Sequence, residues 1–219
     1  GGVDSLSLLT INGFASLEVV SGRVARPFAA DRDGINIGEA AAVFLMTRAP
    51  MPGFPEGEPI GLLGYGASSD AWHMSSPRPD GEGAMQAIQA ALQGAGLSAG
   101  DLGWINLHGT GTTQNDAMES LAVVQTLGVD VPGTSTKPHT GHTLGAAGAL
   151  EAAIVWGFVS RQLNPSGALP AQGNERDPSL APLRLTRPGD RWPSGRRLGL
   201  STSFAFGGNN MALIMGDTA

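Results

Sequence analysis

The amino-acid sequence predicts an α/β fold built on a layered sheet. Short apolar runs of strand length alternate along the chain with segments of helical period. Glycine-rich or polar segments follow three of the strand-like runs, at the strand carboxyl ends where open α/β sheets build their sites. The closing residues read strand, Gly207-Gly208-Asn209 turn, strand, which is a hairpin pattern.

The elements follow in order. Residues 5–20 are predicted as a helix, with Leu6, Leu9, Phe14 and Leu17 on or near one face. Residues 26–38 form a polar loop containing Asp31-Arg32-Asp33-Gly34, and residues 41–46 (AAVFLM) a strand covered on both faces. Residues 49–59 carry four prolines, which forbid a helix and mark a boundary. The expected division is therefore 1–58 and 59–219. A strand follows at 60–65, a polar loop at 68–77, and a helix through Met85, Ile88 and Leu92 that stops at Gly94 and Gly96. Residues 104–107 are a short strand. Residues 116–127 are a helix with Ala117, Leu121 and Val124 inward, and 133–136 are another strand. A long helix starts near Leu144, with Leu150, Ile154 and Phe158 at four-residue spacing; 164–197 is mostly loop.

Composition narrows the function. The 219 residues, 41 % apolar, suffice for a real core. A net charge of −6 with only 13 Lys and Arg disfavours nucleic acid and anionic membranes as partners. No cysteine is present, so these residues supply no disulfide, zinc–thiolate site or catalytic thiol. That composition fits a reducing, cytoplasmic setting. The most apolar stretch, 144–159, is interrupted by Glu151 and is too short to span a bilayer. Gly1-Gly2-Val3-Asp4 offers neither an initiating methionine nor a signal core, which suggests a fragment or processed product.

Three segments carry candidate chemistry: INLHGTGTTQND (105–116), TSTKPHTGHTLGAAGALE (134–151) and STSFAFGGNN (201–210). His108 ends a strand and precedes Gly109-Thr110-Gly111-Thr112, whose glycines admit close backbone approach and whose threonines offer hydroxyls. It reads equally as a catalytic imidazole or as a structural one bonded to a backbone carbonyl. His139 and His142 lie three apart, but a glycine intervenes, no helix holds both rings on one face, and no carboxylate sits at ligand spacing, which disfavours a metal. His142 stands at a helix entrance, where the dipole favours a neutral ring; it reads as a neutral donor or as a capping residue. Lys137 lies in an apolar neighbourhood and needs a partner, with Asp116, Glu119 and Glu151 within the nearby sequence. The alternative is a surface ion pair. Gly61-x-x-Gly64-x-Gly66 does not make a dinucleotide fingerprint, and there is no Gly-x-Ser-x-Gly elbow.

Together these segments resemble the β-ketoacyl-acyl-carrier-protein synthases, the ketosynthases of the thiolase-like superfamily. The resemblance rests on GGVD (1–4), RPFAADRDGINIGEAAA (26–42), SSDAWHMSSP (68–77), LHGTGT (107–112), STKPHTGHTLGAAGALE (135–151) and FAFGGNN (204–210), in that order. It is strongest for the elongating type, and SSDAWHM with FAFGGNN are similar to the aryl-polyene subtype. It implies a layered α/β/α/β/α fold, present as one complete half plus the tail of the other.

By this resemblance His108, His142 and Lys137 are catalytic. Asp116 and Glu119 hold Lys137, and Glu151 belongs to the same network. Thr110, Thr112 and Ser75 contact the phosphopantetheine arm. Phe206 gates the nucleophile and supplies half of an oxyanion hole through its N–H. No metal and no cofactor is implied. The activity implied is decarboxylative Claisen condensation of malonyl-acyl-carrier protein with an acyl-enzyme thioester. Its nucleophilic cysteine belongs to an amino-terminal half that precedes Gly1. The implied partners are acyl carrier protein, its malonyl form, that amino-terminal half, and a second ketosynthase subunit in a homodimer or heterodimer. The chain departs from the family at Ala205, usually Gly, at Asn209, usually Thr, and at Glu18, where several relatives are basic. The competing reading is a non-catalytic partner subunit of the chain-length-factor kind; retention of His108, His142 and Lys137 favours the enzyme. A coenzyme A thiolase fits less well, because it needs a second cysteine.

Overall fold

The computed structural model describes residues 1–48 and 60–218. The proline-rich stretch and the expected boundary at 58/59 lie outside the described residues. The first part forms an antiparallel ribbon of β1 (Gly2–Asp4) and β2 (Ala40–Ala42), with helix α1 (Leu8–Ser16) between them. Ser7 caps α1 by accepting the Thr10 N–H at 3.2 Å, and Glu18 (φ 55°) turns the chain away beyond its end. The helix is therefore shorter than expected, and none of its residues is fully buried. Among the described residues the run at 41–46 is strand only as far as Ala42, and the cover on both faces that its composition predicts is not seen. Only β1 pairs with it among the described residues, so Val43 and Leu45 are 88 % and 74 % exposed.

The second part is a five-stranded sheet of β3 (Ile60–Ser69), β4 (Trp104–Asn106), β5 (Gly133–Thr134), β6 (Leu198–Ala205) and β7 (Asn209–Asp217), in the order β3-β7-β6-β4-β5. Strands β6, β4 and β5 run parallel, with β5 at the edge; β7 pairs antiparallel with β6, in the predicted hairpin, and with β3 on its other side. Strand alternation splits the core in two. Ile105, Leu200 and Ile214 face helices α2 (Glu82–Ala95) and α3 (Thr113–Leu127), while Trp104 and Met215 face helix α5 (Ala147–Val159) on the other side. The chain between β5 and α5 makes a short helical turn, α4 (Lys137–Thr140), and a single 3-10 turn at Leu144–Ala146. Residues 160–197 contribute only isolated bridges, as the loop reading requires.

The glycines of β3 have a packing reason. A Cβ on Gly66 would lie 2.0 Å from the Ala87 carbonyl oxygen, and one on Gly64 would lie 2.2 Å from that of Ala91. Their absence lets the α2 backbone rest directly on the strand. Helix α2 closes as predicted at Gly96 (φ 64°), where the Leu97 N–H reaches the Leu92 carbonyl at 3.0 Å in a Schellman arrangement. Gly94 lies within its last turn.

Helix α3 turns a different face inward from the one the apolar spacing predicts. Asp116, Glu119, Ser120 and Val123 are buried, Ala117 is exposed, and Leu121 and Val124 are half-buried. Two carboxylates on the inner face satisfy backbone donors of the loop after β4, and apolar periodicity cannot register that.

Candidate active site

Strand β4 delivers His108 to a loop held from below by α3. Glu119 accepts the backbone N–H groups of His108 at 2.8 Å and Gly109 at 2.7 Å, and the Thr202 hydroxyl at 2.8 Å. The Thr202 oxygen in turn accepts the His108 N–H at 3.0 Å. Asp116 accepts from Gly111 at 3.1 Å and Phe28 at 2.7 Å. Positive φ at Gly109 (35°) and Gly111 (82°) folds the loop so that these donors point down at the two carboxylates. Burial raises both acids, Asp116 to about 6 and Glu119 to about 7, with the donated N–H bonds opposing the rise. The expectation that these acids hold Lys137 is thus corrected: they hold the His108 loop, because α3 enters directly beneath it.

Lys137 pairs instead with Glu151 of α5. Its Nζ lies 2.5 Å from Glu151 Oε1, donates to the His108 carbonyl at 2.5 Å and lies 3.3 Å from His108 Nδ1; both ionic side chains are 2 % exposed. Burial raises the Glu151 carboxyl, and the Lys137 charge opposes that rise.

His142 reaches the same place from the turn before α5. Its backbone is threaded between Asn36 and Gly38: its N–H donates to the Asn36 carbonyl at 2.6 Å, and its carbonyl accepts from Gly38 at 3.0 Å. The Leu144 N–H points at His142 Nδ1 at 3.3 Å, an approach made possible by a left-handed Leu144 (φ 48°). The His108 and His142 ring centroids are 5.3 Å apart, with planes at 86°. The Phe204 ring packs edgewise on His108 at 5.9 Å.

Both rings are held neutral. Burial first, then the Lys137 charge, pushes His142 down to about 3; the same causes, with His142 added, push His108 well below the usual imidazole range. An ammonium approaches Nδ1 of one ring and a backbone N–H approaches Nδ1 of the other. The hydrogen-bond network therefore assigns the proton of each ring to Nε2. Two neutral N–H donors remain at a cleft of about 610 Å³ lined by both histidines, an arrangement of the kind that can stabilise an oxyanion.

Thr110, Thr112, Ser75 and Phe206 also line this cleft. The Thr110 and Thr112 hydroxyls are 3.0 Å apart, and Phe206, 49 % exposed, stacks on Phe14 of α1 at 5.7 Å. His139 lies in a separate surface pocket with Arg23 and Arg26, so it does not share a site with His142. Sequence reasoning missed Phe14, Thr202, Phe204 and Leu144. It also gave no role to residues 26–38, which clamp the site. Phe28 binds Asp116, the Gly34 N–H donates to the Gly111 carbonyl at 2.9 Å, and Arg32 forms a largely buried pair with Asp177 at 2.8 Å. The dense charge cluster at 31–33 was the available signal.

A layered α/β unit with paired neutral imidazoles and a buried lysine at strand carboxyl ends defines the class: a thiolase-like half. Comparison with known proteins identifies the family. Residues 61–167 match the β-ketoacyl synthase C-terminal domain. The chain is 34 % identical to a Synechocystis protein named 3-oxoacyl-[acyl-carrier-protein] synthase 2, over 97 % of this chain and 53 % of that one. It is 35 % identical to the Rhizobium meliloti protein of the same name, over 98 % and 52 %. Among solved structures it superposes on a chain of the complex of the ketosynthase ApeO with its chain length factor ApeC, from Xenorhabdus doucetiae. That match has a TM-score of 0.88 and 48 % identity, covering all of this chain and 52 % of the other. A β-ketoacyl synthase from Burkholderia phymatum matches with a TM-score of 0.78 and 31 % identity, over all of this chain and 54 % of that one. The chain belongs to the β-ketoacyl synthase family, and it spans about half the length of the curated relatives it matches.

Proposed function

We propose that these residues are the carboxy-terminal part of a condensing enzyme. The reaction is decarboxylative Claisen condensation of malonyl-acyl-carrier protein with an acyl-enzyme thioester, giving 3-oxoacyl-acyl-carrier protein. The observation that carries the proposal is the convergence of His108 and His142, each with Nδ1 engaged and Nε2 left to donate. Loss of carbon dioxide from a malonyl thioester leaves an enolate. Two neutral N–H groups meeting on its oxygen stabilise that charge; the enolate carbon then attacks the acyl thioester carbonyl, and the C–S bond breaks to release the cysteine thiolate. Lys137 orients His108 and holds its tautomer. Thr110, Thr112 and Ser75 bind the phosphopantetheine arm along the cleft, and Phe206 stands at the gate with its N–H directed to the thioester oxygen.

These 219 residues contain no cysteine, so the acyl group is held by a cysteine of an amino-terminal half. The division near residue 58, a cytoplasmic setting, a dimer with a like or related subunit, and a place in fatty-acid, polyketide or aryl-polyene synthesis belong to the same proposal. Among the described residues no helix is long and apolar enough to cross a membrane. A non-catalytic chain-length-factor role would leave the two donors without a use. The test is carbon dioxide release from malonyl carrier by the protein joined to, or supplied with, its amino-terminal half. His108→Ala and His142→Ala should each slow release about a hundredfold or more, the effect of losing one preorganised donor. Undiminished release in both variants would remove the proposal. The 219 residues alone should not condense.

A further inference from the structure

The cleft has a rim formed by two loops, and one exposed side chain links them. The His73 Nδ1 atom accepts the backbone N–H groups of Ser75 at 3.1 Å and Ser76 at 3.2 Å, closing residues 73–76 into a tight turn. Ser75, Ser76 and Pro77 line the cleft. Met74, inside that turn, presents its carbonyl to the Gly207 N–H at 2.8 Å. Gly207 (φ 78°) follows Phe206, the aromatic residue at the cleft mouth that stacks on Phe14. A continuous chain of contacts thus runs from the imidazole to both sides of the opening. Its links are His73 to the Ser75–Ser76 turn, Met74 to Gly207, and Gly207 to the adjoining Phe206 ring.

We propose that His73 is a positioning residue that fixes the cleft rim, setting Ser75 on one side and, through the Met74 carbonyl, Phe206 on the other. His73 is not among the residues that line the cleft and bonds only backbone N–H groups of those that do, so its influence passes through the backbone. Without the ring acceptor the Ser75 and Ser76 amides return to water and the Met74 carbonyl loses its fixed direction. A rim set this way governs how an arm-bound thioester enters, not the chemistry at the His108–His142 pair, which lies deeper. Only this kinetic consequence rests on the condensing-enzyme reading.

The test is amide hydrogen exchange on the complete protein without substrate, comparing His73→Ala and His73→Asn. In His73→Ala, exchange should quicken about tenfold at Ser75 and Ser76 and also at Gly207, with β4 and α5 unchanged. In His73→Asn, whose side-chain carbonyl can accept the same N–H groups in an Asx-type turn, exchange should stay within about threefold of the parent. Unchanged exchange in His73→Ala, or quickening at 75–76 without any at Gly207, would overturn the proposal. On turnover, His73→Ala should raise KM for the malonyl carrier about fivefold, with kcat within about twofold and Asn restoring KM. A fall in kcat with KM unmoved would also overturn it. Because exchange is read without substrate, its outcome stands apart from that of the condensation assay.

Discussion

Glu151→Gln tests the buried ion pair at the centre of the site. Lys137 and Glu151 are each 2 % exposed and 2.5 Å apart. At an effective dielectric of about 20, two unit charges at that separation attract by roughly 6–7 kcal/mol. Desolvation of several kcal/mol per ion offsets most of this, so the intact pair contributes little net stability. Removing only the carboxylate charge leaves the Lys137 ammonium buried with two neutral acceptors beside it, the His108 carbonyl and His108 Nδ1. The cost should be about 3 kcal/mol, the lower end of the range for breaking a buried pair, because the glutamine oxygen can still accept one hydrogen bond. At roughly 2–4 °C per kcal/mol for a chain of this size, Tm should fall by about 6–12 °C. Urea unfolding, followed by tryptophan fluorescence, measures it. Replacing both partners, Lys137→Met with Glu151→Leu, should recover stability to within about 1 kcal/mol of the parent, yet leave the His108 ring without its Nδ1 partner. A Glu151→Gln loss below about 1 kcal/mol, or a double variant no more stable than the worse single one, would refute the reasoning.

Three further outcomes follow from the geometry. Thr202→Val removes one of the two acceptors of the His108 N–H and a donor to Glu119, and should cost about 1–3 kcal/mol in urea unfolding, whereas Thr202→Ser should cost less. Gly66→Ala forces a Cβ to within 2.0 Å of the Ala87 carbonyl oxygen; displacing α2 should cost about 1–3 kcal/mol, and no loss in Tm would contradict the packing argument. The His142 ring, pushed down to about 3, contributes stability that is present above the unfolded imidazole value of 6.5 and is lost as pH falls below it. Asp116 and Glu119 act in the opposite sense: raised to about 6 and about 7, they contribute stability present below their unfolded values of 3.8 and 4.5 and lost as pH rises through the raised ones. Between pH 6 and 4, His142→Gln should therefore change the slope of unfolding free energy against pH by about 1.4 kcal/mol per pH unit, one proton's worth. An unchanged slope would mean that the ring is not held neutral.

Sequence alone determined the alternation of strands and helices, the closing hairpin, the Gly96 stop of α2, and the three segments on which the site is built. Each of these is written in local chemistry. Apolar period marks an element, left-handed glycine marks an end, and His108, Lys137 and His142 stand in motifs whose order along the chain resembles one family. Which carboxylate serves which partner was not legible. Asp116, Glu119 and Glu151 are alike as sequence, and only the approach of α3 beneath the β4 loop, with α5 from the opposite face, assigns two to backbone N–H groups and one to Lys137. The clamp of 26–38 over the site and the stacking of Phe14 on Phe206 likewise join residues far apart in the chain. The neutrality of both histidines belongs to the same class of fact. A helix entrance hinted at it for His142, but burial and the Lys137 charge produce it, and both exist only once the chain is packed.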